Sequence, residues 1–253
     1  MSSPHCTFST GEPALSDLLV QIGKGEVQLP DFQRGWVWDD NHIRSLIASV
    51  SMSYPIGAVM LLEMGGNGVR FKPRRVEGSA VPNGTVPTKL ILDGQQRLTS
   101  LFLTMKSGQP VSTKTDKDEP IQRLYFLDIA KCVQNGDDRM DAVRSLPPEL
   151  KLTSDFGRKV ELDVSTQDRE FELGLIPLNI IFDQARYAAW RRGYQQKYRQ
   201  DTAKLDLFDA FETEVYQRFL QYRVPTIELK KETPKEAVCQ VFEKVNTGGV
   251  TLT

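Results

Sequence analysis

The stretch ILDGQQRLTSLF, residues 91–102, places a run of polar residues, Asp93 to Arg97, between two apolar segments. The segment before it, TKLILD (88–93), has the apolar composition of a buried strand. After it, apolar residues recur at helical spacing: Leu98, Leu101, Phe102 and Met105. The sequence therefore predicts a strand that passes directly into a helix starting close to Gly94–Gln96, with Asp93 as a natural N-cap.

The rest of the chain alternates between strand-like and helical patterns, which predicts an α+β fold. Strands are expected at 56–64, near 69–71, and at 123–130, 158–164 and 223–229. Helices are expected at 14–22, from Asp39 or Asp40 onward, across much of 177–222, and after Thr233. Between these elements we expect an extended, turn-rich segment at 27–40 and a polar loop at 107–120.

Composition and charge narrow the class of protein. The 253 residues include 32 Lys and Arg against 33 Asp and Glu, so a nucleic-acid contact would need a local basic patch. Three widely spaced cysteines without a CxxC pattern fit a reducing cytoplasm, and two histidines are too few for a His-rich metal site. No apolar run reaches the roughly 18 residues of a membrane span, and the start has no signal-peptide pattern. We therefore expect a cytoplasmic protein that has no membrane partner.

The polar run Asp93–Arg97 suits a ligand that carries phosphate. The first turn of a helix presents N–H groups and the positive end of the helix dipole. Gly94 lets a ligand approach the backbone, and the Arg97 guanidinium can bind a phosphate through two hydrogen bonds. Asp93 could hold Mg²⁺ or a ribose hydroxyl, while Gln95 and Gln96 could orient water or read a base. The alternative is that Asp93 only caps the helix and the other side chains are solvated.

A second cluster, DFQRGWVWDD (31–40), sets aromatic side chains beside an arginine. Such a combination stacks on bases and binds phosphate. The alternative is a core role for the aromatic residues: Phe32, Trp36 and Trp38. In that case Arg34 would extend its stem over apolar surface. The core interpretation suits the tryptophans better than it suits Gln33 and Arg34.

Three more stretches allow two interpretations each. VFEKVNTGGVTL (241–252) ends a predicted helix with Asn246 and two glycines, which form either a polar site loop or a plain C-cap. ARYAAWRRGYQQKYRQ (185–200) interleaves basic and aromatic residues, but the aromatics share one helical stripe, which favours a core role over nucleic-acid binding. RFKPRR (70–75) is a smaller basic patch on a predicted loop, for which nucleic-acid binding is likewise the less favoured of the two interpretations. The sequence contains no Walker-type P-loop.

Three motifs, in this order, resemble the signatures of the DUF262 family: LPDFQRGWVWD (29–39), ILDGQQRLTSL (91–101) and VFEKVNTGGVTL (241–252). These are the GmrS-like N-terminal domains of modification-dependent restriction and phage-defence proteins. The resemblance implies a mixed-sheet core similar to ParB and sulfiredoxin, with a helical insertion. We expect the core at 1–130 plus 223–253 and a mostly helical insertion at 131–222. The abrupt end at TLT also suggests a longer protein, whose C-terminal nuclease-type domain is absent from this chain.

The resemblance also implies roles for individual residues. The expected catalytic residues are Asp93, Gln95, Gln96 and Arg97. The expected nucleotide-binding residues are Gln33, Arg34, Gly94, Arg97 and Asn246, with Gly248 and Gly249 near the last of these. The expected DNA contacts are Phe32, Gln33 and Trp36, and Asp93 is the expected ligand of Mg²⁺.

The implied function is an NTP-binding and NTP-hydrolysing regulatory domain of an antiphage restriction system. Its expected partners are an NTP, modified double-stranded DNA and an HNH-type nuclease domain, in cis or in trans, with a possible homo-oligomer. The alternative is a binding module for modified DNA, for example phosphorothioate DNA, in which the nucleotide is only a switch ligand.

Overall fold

A computed structural model describes residues 7–65, 71–134, 139–154 and 158–247, with side chains as far as Glu243. The strands are β1 (Phe8–Gly11), β2 (Val27–Pro30), β3 (Val59–Glu63), β4 (Pro73–Arg74), β5 (Lys89–Asp93), β6 (Val111–Lys114), β7 (Pro120–Asp128), β8 (Val143–Leu146), β9 (Lys151–Ser154), β10 (Lys159–Asp163), β11 (Leu175–Pro177) and β12 (Thr226–Leu229).

The α-helices are α1 (Leu15–Lys24), α2 (Asp40–Ser51), α3 (Gln95–Met105), α4 (Ile129–Gln134), α5 (Gln167–Leu173), α6 (Gln184–Lys197), α7 (Thr202–Phe211), α8 (Gln217–Gln221) and α9 (Lys235–Thr247). Short 3₁₀ turns cover Met140–Ala142 and Leu178–Ile180, and a π-helical turn covers Glu212–Tyr216. The mixture of helices and sheets confirms the α+β class. Within the described residues, no helix is both long and apolar enough to cross a bilayer.

The chain groups into two compact units. Unit 1 comprises Met1–Trp36, Gly57–Thr99 and Arg223–Thr253, and unit 2 comprises Val37–Ile56 and Ser100–Tyr222. The division into a ParB-like core at 1–130 plus 223–253 and an insertion at 131–222 stays a prediction.

Unit 1 is built on a six-stranded mixed sheet with the strand order β1-β12-β3-β5-β2-β4. Strand β12 runs parallel to β3, and β2 runs parallel to β5, whereas β3 and β5 are antiparallel. The helix α9 packs on this sheet through Val238, which forms a buried cluster with Leu62, Leu92 and Leu229. The apolar run that ends at Asp93 is thus a central strand of unit 1, as its composition predicts.

Unit 2 contains a second sheet in which β7 pairs with β6, β8 and β11, all antiparallel. The strands β9 and β10 form a separate hairpin, which confirms the strand expected at 158–164. The prediction of a polar loop at 107–120 is wrong in part, because Val111–Lys114 forms strand β6. Only Val111 of this strand is apolar, although Val111 and Thr113 are both buried, and pairing with β7 supplies the hydrogen bonds that a short, weakly apolar strand needs.

The aromatic stripe of α6 is core. Tyr187, Trp190 and Tyr194 are buried, and the Trp190 and Tyr194 rings stack 5.4 Å apart. The basic residues of the same helix lie on its solvent-exposed face, as the sequence pattern predicts. The strand expected near 69–71 lies mostly outside the described residues, and the described strand nearby is β4.

Candidate functional site

The turn between β5 and α3 depends on a glycine. Gly94 has φ +86°, a left-handed conformation that favours glycine. A Cβ at this position would lie 2.9 Å from Cγ2 of Val59, which is too close for ordinary packing. Because α3 begins at Gln95, the residue before the helix is Gly94, so the prediction of Asp93 as N-cap is wrong. Asp93 instead ends β5, and its carboxylate accepts a hydrogen bond from the Arg97 side chain.

The two glutamines that follow the glycine bind the backbone of the first motif. The Nε2 atom of Gln95 donates to the carbonyl of Arg34 over 2.7 Å. The Nε2 atom of Gln96 donates to the carbonyl of Gly35 over 3.1 Å. Gln95 is 8% exposed, so its hydrogen bond is well shielded from water. The motifs DFQRGWVWDD and DGQQR are therefore joined through the amides of the second.

A third amide makes the reciprocal connection. The Nε2 atom of Gln33 donates to the carbonyls of Ile91 and Leu92, each over 2.9 Å. Two carbonyl acceptors around one atom fix that atom as the amide nitrogen. The Oε1 atom of Gln33 is buried and has no hydrogen-bond partner among the described residues. We call Gln33, Gln95 and Gln96 the amide clamp, because together they fix the segment 33–35 against β5 and α3.

Arg97 is held in place on two sides. Its Nη2 atom donates to the carbonyl of Ala58 over 3.0 Å and lies 3.1 Å from Oδ2 of Asp93. Gly57 has φ +85°, and a Cβ there would collide with Nη1 of Arg97. The side chains of Arg97 and Asp93 are 19% and 37% exposed, so the guanidinium is oriented but still reached by solvent. Such an arrangement can present a fixed positive charge to a phosphate.

Arg34 lies on the first motif, DFQRGWVWDD, and is exposed. Its carbonyl accepts from Gln95 and, over 3.3 Å, from Nη2 of Arg74. Its guanidinium has no ion pair within the part of the chain that the structure describes. The Trp36 backbone N–H donates to Oε1 of Glu77, which also accepts from Nη1 of Arg74 over 2.7 Å. The backbone of this segment is thus fixed while the Arg34 side chain is available for a ligand.

The expected DNA contacts differ in their accessibility. Phe32 is 47% exposed, and its ring packs edge-on against Phe71 and Phe242 at 4.8 and 5.0 Å. Trp36 is half-buried, and the nitrogen of the Gln33 amide is used within the fold. Of the three, Phe32 offers the largest free aromatic surface.

The residues present suit Mg²⁺ only together with a phosphate. Among the described residues, no group of three His, Cys, Asp or Glu side chains could hold a metal ion. Asp93 supplies one carboxylate, one oxygen of which contacts Arg97. Mg²⁺ in nucleotide sites is bound by one or two carboxylates plus phosphate oxygens, so a single aspartate fits that mode of binding.

The third motif begins in α9, where the Phe242 ring packs edge-on against Phe32 of the first motif. Asn246 lies within the helix Lys235–Thr247, but its side chain, like Gly248 and Gly249, is outside the described residues. The helix contacts β5, the strand that leads into the DGQQR turn, through the Leu92–Val238 cluster. Helix α9 belongs to unit 1, as do residues 29–36 and 91–99 of the other two motifs.

The sequence reasoning missed three residues that shape the site. Gly57 makes room for the Arg97 guanidinium, and a glycine at the second position of the predicted strand 56–64 was a signal for a close approach to the backbone. Glu77 and Arg74 fix the backbone of residues 34–36 from a stretch that is rich in glycine and proline. Nothing in the local sequence indicates those contacts, because the partners are about forty residues away.

The chain is similar to known proteins over nearly its whole length. The sequence pattern of one family, described as the N-terminal domain of the GmrSD restriction endonuclease, matches residues 15–253. The uncharacterized protein MJ0686 of Methanocaldococcus jannaschii is 30% identical over 247 residues. That alignment covers 94% of this chain and 39% of the archaeal protein, so the chain spans well under half of its relative.

Proposed function

The chain belongs to the family of GmrSD restriction endonuclease N-terminal domains, and on that premise we propose that it binds and hydrolyses an NTP as the regulatory domain of a restriction system. In this proposal the domain serves phage defence in the cytoplasm and controls an HNH-type nuclease domain located outside this chain. Modified double-stranded DNA is the proposed signal, and assembly into a homo-oligomer belongs to the same proposal.

The observation that carries the proposal is the fixed arginine at the start of α3. Arg97 is held by Asp93 and Ala58, and Gly94 leaves the backbone of the turn without a side chain. Preorganised charge that needs no rearrangement is the main source of electrostatic catalysis in phosphoryl transfer. The exposed guanidinium of Arg34 supplies a second cation on the first motif.

The proposed mechanism assigns these groups to the phosphates and to the attacking water. Arg97 and Arg34 stabilise the charge that develops on the phosphate oxygens. The amide nitrogens of Gln95 and Gln96 donate within the fold, so the proposed contact of either side chain with water is through its oxygen. Mg²⁺, when bound, would neutralise phosphate charge, and Asp93 is the residue that would hold it. Asn246 would close the nucleotide site from α9.

A second candidate is a binding module that senses modified DNA, with the nucleotide as a switch ligand. The exposed Phe32 ring favours it, because an aromatic surface outside the core can stack on a base that is flipped out of the duplex. The engagement of all three clamp amides in structural hydrogen bonds is also compatible with binding without turnover.

Phosphate release from each of the four NTPs with Mg²⁺ tests the first candidate. Arg34→Ala removes an exposed cation without a structural partner, and Arg97→Ala removes the fixed one. Arg192→Ala, which changes an exposed arginine of α6, is the matched control. We expect turnover in wild type and Arg192→Ala, and a loss of at least tenfold in the other two variants. Saturable binding of modified DNA without phosphate release in any protein would favour the second candidate.

A further inference from the structure

A cavity of unit 1, separate from the DGQQR turn, lies along the edge strand β4. It has a volume of about 490 Å³ and lies between β4 and the loop 82–86. Three cations contribute to its lining: Lys72, Arg74 and Arg75. We call this cavity the β4 groove.

The walls of the β4 groove are joined by hydrogen bonds. The Nη1 atom of Arg75 donates to the carbonyl of Val81 over 2.8 Å. The Nε2 atom of the buried Gln28 donates to the carbonyl of Thr85 over 3.0 Å, and the Thr85 hydroxyl donates to the carbonyl of Pro82. Because the loop is fixed to β2 and β4, a ligand in the groove would not have to order it first.

The charges in the β4 groove are only partly compensated. Arg74 is paired with Glu77 over 2.7 Å, whereas Arg75 contacts a carbonyl rather than a carboxylate. Lys72 is exposed and makes no ion pair with any residue that the structure describes. One exposed carboxylate, that of Asp31, also lines the groove. In a chain whose net charge is −1, this is a local concentration of positive charge suited to phosphates.

An exposed aromatic ring, that of Phe32, directly follows the groove residue Asp31 in the chain. Phe32 packs against Phe71, the residue before Lys72, and the Asp31 N–H donates to the Lys72 carbonyl over 2.9 Å. Cations that contact phosphates and an aromatic ring that stacks on a base are the two parts of single-strand binding surfaces. In a duplex the base faces are covered by stacking, so an aromatic ring of this kind favours a single strand.

We propose that the β4 groove binds the backbone of single-stranded DNA, with Lys72 and Arg75 on phosphates and Phe32 stacked on a base. This activity goes beyond nucleotide hydrolysis and needs none of the DGQQR residues. It rests on the proposed role in DNA restriction only for the choice of DNA over RNA. Asp31 opposes the binding, because its carboxylate repels the same phosphates.

Fluorescence anisotropy of a labelled oligothymidine strand, over a series of NaCl concentrations, tests the proposal. We expect saturable binding that weakens with salt. Lys72→Ala should lower the slope of log affinity against log salt by about 0.7, the value for one phosphate contact in a single strand. Phe32→Ala should lower the affinity about tenfold, and Asp31→Asn should raise it.

Lys24→Ala, which changes an exposed lysine at the end of α1 in the same unit, should leave the affinity unchanged. The proposal is overturned if Lys72→Ala behaves like Lys24→Ala, if Asp31→Asn weakens binding, or if a duplex of equal length binds more tightly. Phosphate release by Lys72→Ala should equal that of wild type. If wild type releases no phosphate but binds the strand as expected, the hydrolysis proposal fails and the groove proposal stands.

Discussion

The starts of α2, α6 and α7 in unit 2 use their polar residues differently from the start of α3. The helices α2, α6 and α7 of unit 2 each follow an aspartate that caps them. Asp39, Asp183 and Asp201 accept hydrogen bonds from the backbone N–H three residues later, over 2.8, 3.0 and 3.1 Å. In each of these helices one carboxylate accepts from the first turn, and at α2 the His42 ring contacts the same carboxylate.

The helix α3 begins in another way. A glycine occupies the cap position, and the Asp93 carboxylate accepts from the Arg97 guanidinium instead. The next two side chains, Gln95 and Gln96, bind a distant segment of backbone. The comparison teaches that the polarity of DGQQR is not needed to start a helix. It fixes a charged turn in which Gly94, buried against Val59, allows the close packing.

The largest expected effect tests whether α3 requires its glycine. Gly94→Ala should lower the free energy of unfolding by about 2–4 kcal/mol, because positive φ adds strain and the new Cβ overlaps Val59. Gly84→Ala has a similar φ but open space around it, and Gly35→Ala also has open space. In urea unfolding we expect the loss of unfolding free energy to decrease from Gly94→Ala to Gly84→Ala to Gly35→Ala. Equal losses in Gly94→Ala and Gly84→Ala would contradict the tight approach to Val59.

The next effect concerns the amide clamp. Gln33→Leu should cost about 1–3 kcal/mol, because the carbonyls of Ile91 and Leu92 lose a shared donor. Gln96→Leu should cost less, since its acceptor, the carbonyl of the exposed Gly35, can turn to water. Urea unfolding of the two variants measures the difference, and a larger loss at Gln96 would show that the clamp is organised differently.

A smaller loss of stability is expected when the capping aspartate of α2, Asp39, is removed. Asp39→Ala should cost about 1 kcal/mol at neutral pH. Burial raises the pKa of Asp39, but hydrogen bonds from the backbone and ring of His42 lower it more, to below its ordinary 3.8. A lowered folded-state pKa stabilises the fold above 3.8, and this contribution is lost as pH falls through the folded-state value. The gap between wild type and Asp39→Ala should therefore narrow in acid unfolding curves; a gap that widens would contradict the cap.

The smallest effect on stability is expected at Asp93. Asp93→Asn should change the unfolding free energy by only about 0.2–1 kcal/mol, because its ion pair with Arg97 is partly exposed. Nucleotide binding, measured as the rise in melting temperature with an NTP and Mg²⁺, should nevertheless fall. If Asp93→Asn destabilises the protein as much as Asp39→Ala and leaves nucleotide binding intact, Asp93 acts as an ordinary cap and the comparison fails.

The sequence predicted local elements well where apolar periodicity was strong. The strands β3, β5, β7 and β12 and the start of α2 at the Asp39 cap lie where their patterns place them. Strand β6 was missed because four residues of mixed polarity are fixed by pairing with β7. The parallel pairing of β12 with β3 joins residues far apart in sequence, which no local pattern encodes.

In the candidate site, too, local features could be predicted from the sequence and contacts between distant residues could not. The run Asp93–Arg97 correctly indicated the passage from a strand to a helix, but the cap was placed one residue early. The acceptors of Gln95 and Gln96 lie 61 residues away, so their role in joining two motifs could not be read locally. The catalytic and ligand-binding roles of these residues stay predictions.

Calorimetric titration with a slowly hydrolysed NTP analogue and Mg²⁺ tests the central claim most directly. The claim is that the α3 start of unit 1 is a nucleotide site, whereas the capped starts of unit 2 are not. We expect saturable binding to wild type and to Asp39→Ala, and binding at least tenfold weaker to Arg97→Ala at temperatures where all three are folded. Equal binding by Arg97→Ala and wild type would contradict the account.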